Sequence, residues 1–217
     1  NLTVSGTISG RAVAGISEFL YSGTIDNCTF TGRLNRSCRY WGDNSGNVGG
    51  IVKDMAGGKI TNCTVNATIT GYNDSTEYGG GIVADMSGGS IENCIVEGTT
   101  LSVFHRAGGI AGSVQLGNFE YIKDCKFSGT VNASRTAGYG GGIVGYMQGG
   151  NLQNNHVTAD TNASSSVSGT DYAGGIAGRI GEATVLESCD VSSLVTVSGG
   201  TQAIGGIVGF MSTSTLR

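Results

Sequence analysis

Gly46-Asn47-Val48-Gly49-Gly50-Ile51-Val52-Lys53-Asp54-Met55-Ala56-Gly57-Gly58-Lys59-Ile60-Thr61-Asn62-Cys63-Thr64-Val65 is the stretch on which the fold turns, because each of its landmarks recurs along the chain. The Gly-Gly-Ile-Val core returns at Gly80–Val83, Gly141–Val144 and Gly205–Val208, and with Ala in the last place at Gly108–Ala111 and Gly174–Ala177. Ala14-Gly15-Ile16 is a weaker first copy. From Ile to Ile the interval averages about 32 residues and varies from 28 to 35, so each unit absorbs loops of different size. Self-similarity at such a period is the signature of stacked repeats.

Four residues after each Ile stand Leu20, Met55, Met86, Val114, Met147, Ile180 and Met211. Apolar residues at one equivalent place in every unit, with all four methionines among them, are what an interior stack selects. The second half of the unit reads apolar, two polar residues, then Cys, at Ile25–Cys28, Ile60–Cys63, Ile91–Cys94, Ile122–Cys125 and Leu186–Cys189, with Asn155 taking the Cys place after Leu152. Two residues further come Phe30, Val65, Val96, Phe127, Val157 and Val191, followed at the same step by a small residue. Alternation with period two marks a strand with one buried face.

A unit of strand, Gly-rich turn, strand and variable loop cannot bury its apolar side alone; its neighbours bury it. The expected fold is therefore all-β, a parallel β-solenoid or β-helix of about seven coils of ~32 residues, its core roughly 29 Å long at ~4.8 Å per rung. The expected organisation is a single repeat domain, a fragment of a longer protein. Residues 1–13 are the tail of a preceding repeat, 14–48, 49–79, 80–107, 108–140, 141–173 and 174–204 are repeats, and 205–217 is a partial one.

Composition agrees with many short strands: 40 Gly, no Pro, and 38% hydrophobic residues rich in Val and Ile. A net charge of -4, with 12 scattered Lys and Arg, lacks the basic footprint of nucleic-acid binding. No run approaches the ~20 apolar residues of a membrane helix, so membrane insertion is not expected.

The copy Gly46–Val52, continued by Ala56–Cys63, resembles the GLUG repeat of bacterial secreted and surface proteins. The copies at Gly80, Gly141 and Gly205 are similar, and Gly-Gly-Ile-Val-Gly in the last two is closer still to that family's signature. The resemblance covers nearly the whole chain apart from an insert at Arg33 to Asn44. It implies a β-helix-like appendage on an exported bacterial protein, extracellular or at the cell surface. Such repeats decorate adhesins, large surface proteins and immunoglobulin A peptidases, in the last case outside the catalytic domain. The metallopeptidase pattern His-Glu-x-x-His is absent, so no peptidase activity carries over.

Several side chains could carry chemistry. Cys28, Cys63, Cys94, Cys125 and Cys189 share one column, where rungs ~4.8 Å apart exceed the ~3.8 Å between bridged Cβ atoms; a ladder of buried free thiols is expected. Cys38 lies off the column, either free or bridged to Cys28. No Cys or His spacing signals a metal, and no cofactor is expected. His105 and His156 read as loop or surface residues. Asp54 and Asp85 are equivalent, and could form a solvated pair, a calcium contact or an acid and base for glycoside cleavage. Ser113 and Tyr146 end that column.

Four residues before the Ile, Tyr78, Arg106, Tyr139 and Tyr172 would stack an Arg between rings, either as a surface ladder or as a binding face for sugars or an acidic partner. The insert carries Arg39, Tyr40 and Trp41, candidates for recognition or for packing over the first coils. Thr68-Ile69-Thr70 is similar to the threonine arrays of ice-binding solenoids, but such pieces are not expected to recur in register. Sequons such as those at Asn66, Asn132 and Asn162 follow from repeat composition.

The expected function is that of a non-catalytic structural or adhesive module that contacts glycans or a host surface protein. A polysaccharide lyase or hydrolase on a β-helix is the rival, and a self-assembling extracellular fibre joined through the solenoid ends is the third reading.

Overall fold

The computed structural model describes residues 1–37, 46–72, 77–102, 104–117, 120–159 and 164–217. Among these the chain is all-β, without a helix, and every strand pairing is parallel. The strands form a β-solenoid of about six turns with a repeat of about 31 residues, agreeing with the seven rungs expected from the Gly-Gly-Ile copies.

Each turn contributes to three faces. Face A contains Leu2–Gly10, Cys28–Arg36, Thr64–Thr70, Ile95–Ser102 and Lys126–Ala133, then the split rungs His156–Val157 with Ser166–Gly169 and Asp190–Val191 with Thr196–Gly199. Face B is narrow and holds the strands before the repeated Ile, among them Tyr78–Gly80, Arg106–Gly108, Tyr139–Gly141 and Tyr172–Gly174. Face C follows that Ile and includes Val52–Thr61 and Val83–Glu92.

The interior is the stack that the period requires. Ile51 donates its N–H to the Ile82 carbonyl at 2.9 Å, and the same bond runs from Ile82 to Ile110 and on to Ile143. Met55 is in register with Met86, Met86 with Val114, and Val114 with Met147. All of these side chains are buried. The double glycine follows from the corner between faces B and C. A Cβ on Gly108 would run into the Ala111 carbonyl oxygen, and one on Gly109 into the Gly142 carbonyl and the Phe127 ring. Only a bare backbone lets the chain turn this tightly against the rung above.

The corner between faces C and A accounts for the residue before each Cys. Asn27, Asn62, Asn93, Asp124, Asn154 and Ser188 all have φ between 52° and 54°. This left-handed conformation costs most side chains roughly 1–2 kcal/mol and is easiest, after Gly, for Asn and Asp. Their side chains also bridge rungs: Asn62 donates to Asp26 Oδ1 at 2.8 Å, and Asn154 to Asp124 Oδ1 at 2.5 Å.

The thiols then turn inward. Cys28, Cys63, Cys94, Cys125 and Cys189 are free, and each donates to the carbonyl two residues before it at 3.2–3.4 Å. Asn155 fits this column because it meets the same needs. Its Oδ1 accepts the Cys125 N–H at 3.0 Å, its Nδ2 donates to the Ile122 carbonyl at 2.8 Å, and its own N–H points at Cys189 Sγ at 3.5 Å. The column thus takes small side chains that can accept a hydrogen bond from the backbone N–H of the neighbouring rung, which Cys and Asn both do. Cys38 lies outside the described residues, and Cys28 holds no disulfide.

One expectation is overturned on face A, where the threonine-rich segments do recur in register. Thr7, Arg33, Thr68, Thr100, Thr130, Ser166 and Thr196 form one outward column. Ser9, Asn35, Thr70, Ser102, Asn132, Ser168 and Ser198 form a second, two residues along each strand. Loops and a bulge hide the alignment in the sequence. Between Val96 and Thr99 the strand gains a residue, and Thr99 tucks inward, its Oγ1 accepting the Ala67 N–H at 3.1 Å. Ser165 repeats this role one rung after Gly129, whose N–H it accepts at 3.0 Å.

Candidate functional site

Faces B and C meet at the glycine corner, and seven residues of chain carry each rung from an outward position on one to an outward position on the other. Column B is Tyr78, Arg106, Tyr139, Tyr172 and then Ala203, in the register expected of the Tyr and Arg series. Column C runs Phe19, Asp54, Asp85, Ser113, Tyr146, Arg179 and Phe210. Its acids end at Ser113 and Tyr146, and beyond them the same column continues through a second arginine and another aromatic ring.

Side by side, the two columns make one strip. The Arg106 guanidinium carbon lies 4.9 Å from the Tyr78 ring centroid and 4.2 Å from that of Tyr146, with Tyr139 at 5.9 Å. Arg179 lies 5.7 Å from Tyr139, 5.8 Å from Tyr146, 5.9 Å from Tyr172 and 5.2 Å from Phe210. The rings also touch one another, Tyr139 to Tyr172 at 5.2 Å and Tyr172 to Phe210 at 5.4 Å. Arg106 donates to Ser113 Oγ at 2.9 Å and Arg179 to Tyr139 Oη at 3.3 Å.

Among the described residues neither arginine forms a salt bridge with a carboxylate, although the charge of Arg106 is felt by Asp85. The Nε of each is buried without an acceptor. Next to Arg179 opens a shallow cavity of about 210 Å³, lined by Tyr146, Gln148, Glu182 and Ser212. Guanidinium planes held between aromatic faces, beside a hollow edged by amide, hydroxyl and carboxylate groups, can stack on a sugar ring and hydrogen-bond its hydroxyls.

The acidic end of column C is different. Asp54 meets Lys53 Nζ at 2.9 Å and accepts from Asn47 Nδ2 at 3.2 Å, while the same lysine reaches Glu18 at 3.2 Å. Asp85 forms no salt bridge among the described residues. Burial, and then the negative charge of Asp54, raise its pKa above the usual carboxylate value, against the opposing pull of Ser113 and Arg106. The column holds two acids, and Ser113 follows them. Among the described residues no group of three or more His, Cys, Asp or Glu is placed to hold a metal ion.

His105 is half-buried between Tyr78 and Tyr139, with ring centroids 6.5 and 5.4 Å away. Burial lowers its pKa first, and Arg106 lowers it further. His156 instead sits on face A beside Asp190. Arg39, Tyr40 and Trp41 lie outside the described residues. Tyr146, Arg179 and Phe210 join the strip although reading the sequence did not select them. Their signal was the constant offset of seven residues in Arg106/Ser113, Tyr139/Tyr146 and Tyr172/Arg179.

Comparisons with protein-family models, with curated proteins and with solved structures return no match to the chain.

Proposed function

We propose that this chain is a non-catalytic adhesive module of an exported bacterial protein, and that the aromatic and arginine strip at the corner of faces B and C is its contact surface for glycans or a host surface protein. One observation carries the reading: Arg106 and Arg179 are each packed against three or more aromatic rings, with the Nε of each buried without an acceptor and, among the described residues, no salt bridge to a carboxylate. A ladder that only stiffened the coil could be built from rings alone, at no cost in unmet guanidinium donors. The likeness of Gly46–Cys63 to GLUG repeats supports placement outside the cell.

A glycan array, followed by titration of the best ligand, tests this. Tyr146→Ala and Arg179→Ala should each weaken binding by roughly 3- to 30-fold, the equivalent of losing ~0.5–2 kcal/mol of cation–π and stacking contact. Binding that both variants retain in full would place the contact elsewhere.

A specific observation also favours the rival reading as a carbohydrate-active enzyme. Asp54 and Asp85 stand on adjacent rungs, and burial together with the charge of Asp54 raises the pKa of Asp85, as suits the acid of an acid and base pair. Release of reducing ends from a polysaccharide, abolished by Asp85→Asn, would establish that activity.

A further inference from the structure

The second surface lies on face A, away from the strip. Of the fourteen outward positions in its two columns, eleven are Thr or Ser, two are Asn, and Arg33 alone is charged. Other charged residues of this face, among them Lys126, His156 and Asp190, sit near the start of their strands and outside the array. Beneath it, Leu34, Ile69, Leu101, Val131 and Val167 are fully buried, so the sheet carrying the hydroxyls is backed by packed core.

Core packing explains why the inward residues keep their parity, since a slip by one residue would expose them. It leaves the outward residue types free. Solvated solenoid faces can be covered with Lys, Glu or Gln, yet this one carries short side chains, rung after rung. The columns are also regained after the Thr99 bulge and after the chain between Thr158 and Ser165.

We infer that this hydroxyl array binds ice. The columns repeat at ~4.8 Å across rungs and ~6.6 Å along each strand, distances of the same size as oxygen repeats on faces of hexagonal ice. Threonine is stiff at χ1, so its hydroxyl and methyl groups are held in place with little rotamer entropy left to lose. Each hydroxyl both donates and accepts, as water does, and each methyl is skirted by water without being bonded to it. A long charged side chain would instead disorder the layer. One hydroxyl position repeated over the five rungs from Thr68 to Thr196, beyond Arg33, templates many water contacts at once, which a single hydroxyl cannot.

Nanolitre osmometry of the whole chain decides the matter. The wild type should open a gap between melting and freezing and shape ice crystals into facets. Thr100→Tyr combined with Thr130→Tyr should remove both effects with an unchanged circular dichroism spectrum, and Lys126→Tyr on the same face should keep them. If the double variant misfolds, Thr68→Lys alone should reduce the gap at least two-fold. A wild type that neither shapes ice nor lowers its freezing point overturns the inference, including one that binds insoluble cellulose instead. Activity surviving the array substitutions in a folded protein overturns it equally. Tyr146→Ala and Arg179→Ala should not alter ice shaping, so this outcome is independent of glycan binding.

Discussion

The hydroxyl columns of face A and the aromatic strip at the corner of faces B and C are made by the same device and behave as opposites. In both, equivalent residues of successive units are set one rung apart in register. In the columns of face A the side chains, Arg33 apart, are short and uncharged, reach few neighbours beyond contacts such as Ser168 Oγ to Asn132 Oδ1 at 3.3 Å, and remain a lattice facing water. In the strip from Tyr78 to Phe210 they are long, they mix rings with guanidinium groups, and they collapse onto one another into a continuous cluster. Stacking supplies the periodicity, and side-chain length decides whether the result is an array or a strip.

The difference can be broken at its root by attacking the scaffold common to both. Gly109→Ala forces a Cβ into the Gly142 carbonyl and the Phe127 ring, so it should cost at least about 3 kcal/mol and remove cooperative thermal unfolding. A smaller effect is expected at the Asn corner. Asn62→Ala should destabilise by about 1 kcal/mol more than Asn62→Gly in urea titrations, because Gly keeps the φ of 54° at no steric cost while both lose the bond to Asp26.

The two surfaces themselves should then separate. Tyr139→Ala removes contacts to Arg106, Arg179 and Tyr172 and should cost on the order of 1 kcal/mol, whereas Thr130→Ala, which touches solvent, should change stability by less than about 0.5 kcal/mol.

The smallest expected effect is a pH dependence at the acidic end of the strip. Asp85 has a pKa raised in the folded chain, so the stability tied to its protonated form is fully present below the unfolded value and is lost as pH rises through the folded one. Asp85→Asn should therefore raise the melting temperature at pH 7, with the gain fading as pH falls toward 3. An equal gain at both pH values would mean that the effect is not the titration of this carboxyl.

The period and the inward columns were legible in the sequence because the core tolerates few residue types. Ile51, Ile82 and Ile110, and Met55 with Met86, announce themselves wherever they fall. Outward columns are harder to see, since loops of unequal length shift Thr100 and Ser166 away from the spacing that Thr68 suggests. The bulge at Thr99 disguises the register further by spending a threonine on the interior. Half of the strip was visible as Tyr78, Arg106, Tyr139 and Tyr172. The other half required knowing that the glycine corner folds position i+7 back beside position i, which brings Tyr146 to Arg106 and Arg179 to Tyr139. The Asn column was present as composition, but its cause is a backbone angle that only the corner geometry reveals.

All of this depends on residues about one repeat apart lying directly over one another. Nuclear Overhauser contacts in a methyl- and amide-labelled sample measure that without any substitution. Cross-peaks should join Ile51 to Ile82 and Met55 to Met86, in the pattern of parallel neighbouring strands. Their absence in a folded sample, or contacts joining these residues in antiparallel order, would contradict the account.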